Sequence, residues 1–264
     1  MTRSIPPGLS GILEDLELDQ APMVTSDHLA ELVIRHGLRT PAKVVASRLR
    51  DRGWLLSTGR RGVWEFAPAA VAGPYSRNDP ATPLRAFLAS RPDAKVALTF
   101  QAAAWAHGAA DRVPLHPEVA AATAELARQL PSALSGSVFA PSLAYARLRD
   151  VPVLAAESIV VHMSARPAAV RSWSSALEWL PDLTNGLDLD ALRAELADRP
   201  SSVRVRTGYL LQGLRPDLAH QIHDQVRPSS KVWFGPRGKL RRHDSFWQVA
   251  DTILPFDPKG LHAS

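Results

Sequence analysis

The residues that start and stop helices between positions 25 and 66 leave this chain little choice of local fold. Thr25 or Ser26 is a good N-cap for a helix whose Leu29, Leu32, Val33 and His36 fall on one stripe, and Gly37 stands where a C′ glycine ends such a helix. Leu38 and Arg39 form the turn before Thr40, which can cap a further helix with Pro41 at its first position. That helix runs to about Arg52, and Gly53 stops it. Short strands at 54–56 and 63–66 follow, and Gly59 and Gly62 between them supply the positive φ of a tight hairpin. An earlier helix is set by Leu9, Ile12, Leu13 and Leu16, spaced helically after Pro6-Pro7. Helix, helix, short turn, helix and hairpin together predict a winged helix-turn-helix over residues 1–67.

Charge follows this pattern. Residues 35–62 hold eight Lys or Arg and one acid, Asp51, a balance of +7 in a chain that is +5 overall. Localised positive charge on such a scaffold attracts a DNA phosphate backbone. The acids Glu14, Asp15, Glu17, Asp19, Asp27 and Glu31 bring residues 1–67 back to about +1, nine basic against eight acidic. The domain is therefore expected to be polarised rather than basic throughout.

Helical phase divides the window further. At about 100° per residue, Val45 and Leu49 share one side of the third helix with Arg48 and Arg52, while Lys43, Ala46, Ser47 and Arg50 share the other. Val45 and Leu49 would anchor the helix, leaving Lys43, Ser47 and Arg50 to meet base edges in the major groove. Arg39 and Thr40 beside the helix N-terminus, Arg48 at its edge, and Arg60 and Arg61 on the wing are the expected phosphate contacts. Trp54 and Trp64 are expected to pack the hairpin onto the helices.

The rest of the chain reads differently. Residues 68–83, with four prolines and no apolar period, predict an extended interdomain connection, and residues 84–264 a larger α/β domain. The overall fold class expected is α+β. Within 84–264, residues 95–100 read as a strand and 101–109 as a helix with Trp105 and His107 in the core. Residues 117–130 read as an alanine-rich helix. Strand-like stretches fall at 136–140 and within 151–163, where Ile159, Val160 and Val161 are consecutive. Helices are expected near 168–180, 188–198, 201–213 and 215–226, with Trp173, Leu177 and Leu180 on a buried face. Strands are expected at 231–234 and around 246–254.

Several chemistries are disfavoured. With no cysteine, disulfides and thiolate metal sites are excluded, and a reducing cytoplasm fits. No apolar run reaches about 18 residues, and the N-terminus lacks the apolar stretch of a secretory signal, so a cytoplasmic protein without a membrane span is expected. His220 and His223 are a helical turn apart but lack further ligands, so no metal is expected. Residues 235–240, Gly-Pro-Arg-Gly-Lys-Leu, lack the spacer and the Ser or Thr of a phosphate loop. Arg237, Lys239, Arg241 and Arg242 instead suggest a basic hairpin, either a second contact with DNA, RNA or an acidic partner, or a solvated turn. No catalytic constellation is found and no cofactor is expected.

The motif Arg52-Gly53-Trp54-Leu55, continuing into Gly59-Arg60-Arg61-Gly62-Val63-Trp64-Glu65-Phe66, is one of several that carry a resemblance. Gln101-Ala102-Ala103-Ala104-Trp105-Ala106-His107-Gly108, Asp111-Arg112-Val113-Pro114, the run from Trp173 to Leu180 and that from Arg204 to Leu210 are the others. Across most of its length the chain resembles the AbiEi-type antitoxins of type IV toxin–antitoxin systems, especially bacterial members from actinobacteria. The resemblance implies a repressor whose N-terminal domain binds double-stranded DNA in its own promoter. It also implies a C-terminal domain that counteracts a nucleotidyltransferase-like toxin. Two alternatives stay open at this stage: an orphan regulator without a toxin, and a C-terminal enzyme acting on a toxin or a nucleotide.

Overall fold

The computed structural model describes residues 4–70 and 79–262. The chain forms two compact units, 1–94 and 95–264. The fold is α+β.

In the smaller unit, α1 (Ser10–Asp19), β1 (Met23–Thr25), α2 (Ser26–Arg35) and α3 (Ala42–Asp51) precede the wing strands β2 (Leu55–Ser57) and β3 (Val63–Phe66). Leu9, Ile12, Leu13 and Leu16 meet Leu29, Leu32, Val33, Val45 and Leu49 in one core, with Trp54 and Phe66 from the wing. Thr25 caps α2, its hydroxyl accepting from His28 N–H at 3.1 Å. The end of α2 shows why Gly37 is needed. Its φ is +60°, and the turn closes through Gly37 N–H to Ile34 O and Leu38 N–H to Val33 O, both 3.0 Å. Gly53, at φ +73°, ends α3 by the same pair of bonds, to Arg50 O and Leu49 O.

Three details differ from expectation. Pro41 rather than Thr40 is the N-cap of α3, its carbonyl accepting from Val44 and Val45 N–H, and no side chain caps the helix. His36 leaves the apolar stripe and is exposed, its Nε2 2.9 Å from Asp15, because the chain has already left the helix there. The wing gains a third strand, β1, which pairs antiparallel with β3 (Thr25 opposite Val63) in the order β1-β3-β2. A three-residue strand beside a cap carries too little pattern to be read from sequence.

The boundary between units also falls later than the expected 83/84. Helix α4 (Thr82–Ala89) buries Leu84, Ala86 and Phe87 and packs against β1 and β3 of the wing sheet. Most of the expected 68–83 connection, residues 71–78, lies outside the described residues.

The larger unit begins with β4 (Val96–Leu98), α5 (Phe100–Ala106), β5 (Glu118–Ala121), α6 (Ala124–Gln129), β6 (Ser135–Val138), β7 (Ala146–Leu148) and β8 (Val151–Val153). These strands form one mixed sheet in the order β6-β5-β4-β8-β7. The expected helix at 117–130 is corrected: its first half is β5, buried between β4 and β6, and only α6 is helical. Alanine's helix preference is worth a few tenths of a kcal/mol per residue, less than the ladder bonds and burial of an inner strand. The opposite correction holds at Ile159–Val161, which lie in α7 (Ala156–Ala165), a helix buried from Glu157 to Ser164. A helix enclosed on all sides shows no amphipathic period, so an unbroken apolar run cannot distinguish it from a strand.

Around α7 pack α9 (after α8), α10 and α11: α8 is Trp173–Ala176, α9 Leu180–Asn185, α10 Leu189–Leu196 and α11 Ser201–Leu211. Helix α12 (Pro216–Val226) lies along α11, and a final sheet of β9 (Val232–Phe234), β10 (Arg242–Asp244) and β11 (Val249–Asp251) has the order β10-β11-β9. Trp105 and His107 depart from the expected core. Trp105 is half-buried under the Arg149 guanidinium, 3.9 Å away, and His107 is exposed while its Nε2–H donates to Leu154 O at 2.8 Å. No helix of the described residues is long and apolar enough to cross a membrane.

Candidate nucleic-acid interface

The charged face of α3 is set by what holds its other face. Val45 and Leu49 are fully buried, each contributing roughly 1.5–3 kcal/mol of apolar burial, and Ala46 is buried beside them. With that side fixed, Lys43, Ser47 and Arg50 are exposed together. Ala46, which shared their side in the sequence reading, marks the margin where exposed face meets core.

The wing is docked beside them. Ser26 N–H donates to Gly62 O at 2.9 Å, tying the wing loop to the start of α2. Gly62 has φ +75°, and a Cβ there would meet the Ser26 hydroxyl at 2.7 Å, so both conformation and space require glycine. The loop thus carries Arg61 to the mouth of a groove of about 410 Å³ that Lys43, Ser47 and Arg50 also line, with Ser26 and the half-buried Trp64 on its walls. Among the described residues, three cations and no carboxylate line this groove. Where acids approach the basic groups of α2, they do so elsewhere: Asp15 lies 3.0 Å from Arg35 and 2.9 Å from His36, contacts that hold its carboxyl below the usual range.

The structure separates the remaining expected contacts. Arg39 is exposed in the turn before α3 and Thr40 is half-buried there. Arg48 is exposed, about 100° round the helix from Ser47 and outside the groove. Arg52, its edge partner in the sequence reading, donates to the Ser4 hydroxyl. Arg60 is engaged within the unit: its Nε donates to the Ser90 hydroxyl and its guanidinium lies 5.1 Å from the Phe87 ring centre, both on or just after α4. Sequence gave no hint of this, because it depends on α4 packing against the wing sheet. Trp54 is buried and its indole N–H donates to Ser4 O at 3.1 Å, a packing role as expected.

The second basic cluster is likewise divided. Residues 235–241 do not form a hairpin, since β9 and β10 both pair with the intervening β11, β9 in parallel and β10 antiparallel. Arg237, Lys239 and Arg241 are exposed on this crossover. Arg242 turns inward, 2.7 Å from the buried Asp251 carboxylate, and also donates to the carbonyls of Leu254 and Phe256. Asp251 further accepts from the Tyr209 hydroxyl and from the N–H groups of Ile253 and Leu254.

Other polar clusters of the larger unit are buried within it. His162 is fully buried, Nδ1 2.8 Å from the Thr99 hydroxyl and Nε2 3.1 Å from the Ser137 hydroxyl. Burial, with the charges of Arg166 and Arg199, pushes its pKa down to about 3, so it is neutral at physiological pH. Burial pushes Glu118 up to about 7. His220 and His223 are each bonded to a backbone carbonyl, of Pro216 and Phe246.

Residues 95–213 match the family described as the AbiEi antitoxin C-terminal domain. The chain is also similar in structure to the crystallised RV2827C protein from Mycobacterium tuberculosis. That match has a TM-score of 0.77 and 25% identity and covers 96% of this chain and 94% of that one. No curated protein matches the chain.

Proposed function

Because residues 95–213 match the AbiEi antitoxin C-terminal domain family, we propose that the chain is an AbiEi-type antitoxin, a DNA-binding repressor of its own operon that also counteracts a nucleotidyltransferase-like toxin. The observation that carries the DNA-binding half is the acid-free groove shared by Lys43, Ser47, Arg50 and Arg61. Helix α3 enters the major groove, with Lys43, Ser47 and Arg50 at base edges and Arg50 suited to guanine through two hydrogen bonds. Arg61 on the wing, with Arg39, Thr40 and Arg48 at the margins, meets phosphates and fixes the register. Arg60 supports the wing from behind.

The larger unit acts by binding the toxin rather than by a reaction of its own, in a protein of the cytoplasm. Its test is co-expression: the full chain should restore growth to cells expressing the toxin encoded beside it, and the two arms should separate. Lys43→Ala with Arg50→Ala should abolish repression of a promoter reporter while leaving that rescue intact. Loss of rescue in the same variant, or full repression by it, would contradict the division of labour.

A further inference from the structure

Helix α3 buries Val45 and Leu49 completely and Ala46 almost so, yet leaves Val44 41% exposed. Val44 therefore adds little to the core. It adds little to the helix either. At a solvent-facing position Val is a poorer helix former than Ala, Lys, Arg or Glu, because its branched Cβ loses rotamer freedom against the preceding turn. A side chain that serves neither core nor helix is left for contact with something outside the chain. Its position narrows what that is. With Pro41 as N-cap, Val44 is the third residue of α3, within the first turn. At about 100° per residue it stands about 60° round the helix from Ser47 and about 40° from Arg48, both exposed. It thus lies between the side chains assigned to base edges and the arginine assigned to a phosphate. The acid of this helix, Asp51, is two turns further on, about 10 Å along the axis.

The neighbours of Val44 select its partner. Lys43, Arg48 and Arg50 are exposed on the same arc of α3, so the surface that meets Val44 is polyanionic rather than an apolar protein face. The base edges of a DNA major groove present hydrogen-bonding nitrogens and oxygens and one apolar group, the C5-methyl of thymine. In a recognition helix the N-terminal residues reach those edges, and Val44 is among them. Resting on the DNA-binding reading of α3 above, we infer that Val44 is a specificity-determining residue that packs on a thymine methyl in the promoter site. The preferred sequence then requires a thymine beside the bases met by Lys43 and Ser47. Cytosine, the other pyrimidine, lacks that methyl and leaves the Val44 side chain against a polar edge.

The test uses the full chain and synthetic DNA from upstream of its own gene, in which thymine is the only base with a C5-methyl. Each thymine is replaced in turn by deoxyuridine, which keeps the base pair and removes the methyl. Affinity should fall about fourfold at one position of the site, the effect of one methyl group no longer taken out of water. Val44→Ala should bind the unmodified DNA several-fold more weakly and lose its sensitivity at that position, whereas Val44→Ile should keep it. The site is exposed, so both variants should unfold at the same temperature as the parent. Coupling between one side chain and one methyl is a readout that a purely structural role for Val44 would not move. Promoter binding indifferent to every thymine methyl, or a Val44→Ala variant as sensitive as the parent, would overturn the assignment while leaving DNA binding by α3 in place. Absence of promoter binding would overturn both.

Discussion

The two units place several of their cations in opposite ways, although Arg237, Lys239 and Arg241 of the larger stay exposed. On the smaller, Lys43, Arg48, Arg50 and Arg61 are exposed, and the groove lined by three of them contains no acid. In the larger, arginines are drawn into the structure: Arg242 to Asp251, Arg199 to Glu195, Arg206 to Trp233 O, and Arg215 to Asp217 and the carbonyls of Thr184, Asn185 and Leu187. Net charge misses this contrast, since residues 1–67 total only about +1. What a cation faces, rather than how many there are, decides whether it serves the fold or is left for a partner.

The contrast breaks most visibly if the inward charges are dispensable. Asp251 is fully buried and accepts from Arg242, Tyr209 and two backbone N–H groups. Asp251→Ala strands those donors and should cost about 3–5 kcal/mol of unfolding free energy by urea denaturation. A loss below about 1 kcal/mol, the size of a surface pair, would erase the distinction between the units.

Protons probe the same interior. His162 holds its pKa near 3 against 6.5 for a free imidazole, so between those values the unfolded chain binds the extra proton. Stability should therefore fall on acidification from pH 6.5, by up to about 1.4 kcal/mol per unit from this group, and His162→Gln should flatten the slope. Glu118 acts in the opposite direction: its folded carboxyl keeps a proton to about pH 7 while the unfolded one releases it near 4.5, so its contribution is lost as pH rises across that window. Glu118→Gln, whose amide oxygen can still accept from Ala102 N–H, should gain about 1–3 kcal/mol at pH 8 relative to pH 4. Unfolding curves across pH in which the two variants shift the same way would contradict both assignments.

On the exposed side, Lys43→Ala and Arg50→Ala should each cost about 1–3 kcal/mol of DNA affinity and relax sequence preference at one position, while leaving stability within about 0.5 kcal/mol. Weakening that is uniform over all DNA sequences would make them phosphate contacts. The smallest effect sharpens the comparison within the wing itself. Arg61→Ala should lower the salt slope of binding by about one phosphate, whereas Arg60→Ala should leave that slope unchanged and instead cost under about 1 kcal/mol of stability through Ser90 and Phe87.

How much could be read from sequence follows the same division. The smaller unit was legible because its signals are local: Thr25 as a cap, Gly37 and Gly53 as αL stops, and a leucine spacing that selects one face. The phases of Lys43, Ser47 and Arg50 therefore carried through to the structure. What local signals could not show depends on distant packing, as with Arg60 held by α4 in the smaller unit and Arg242 drawn to Asp251 in the larger. In the larger unit, burial decided the elements: Glu118–Ala121 became an inner strand despite its alanines, and Ile159–Val161 an enclosed helix despite their branching.

The central claim is that the polarised face of α3 and the wing binds DNA. Its most direct test is the affinity of the full chain for the DNA upstream of its own gene across a salt series. With contacts from Lys43, Arg50, Arg61 and the marginal Arg39 and Arg48, the logarithm of affinity should fall steeply with the logarithm of salt, by about 0.9 per phosphate neutralised, and the Lys43→Ala, Arg50→Ala double variant should lose the preference for this DNA over a scrambled sequence. A flat salt dependence, or no binding at low salt, would contradict the claim.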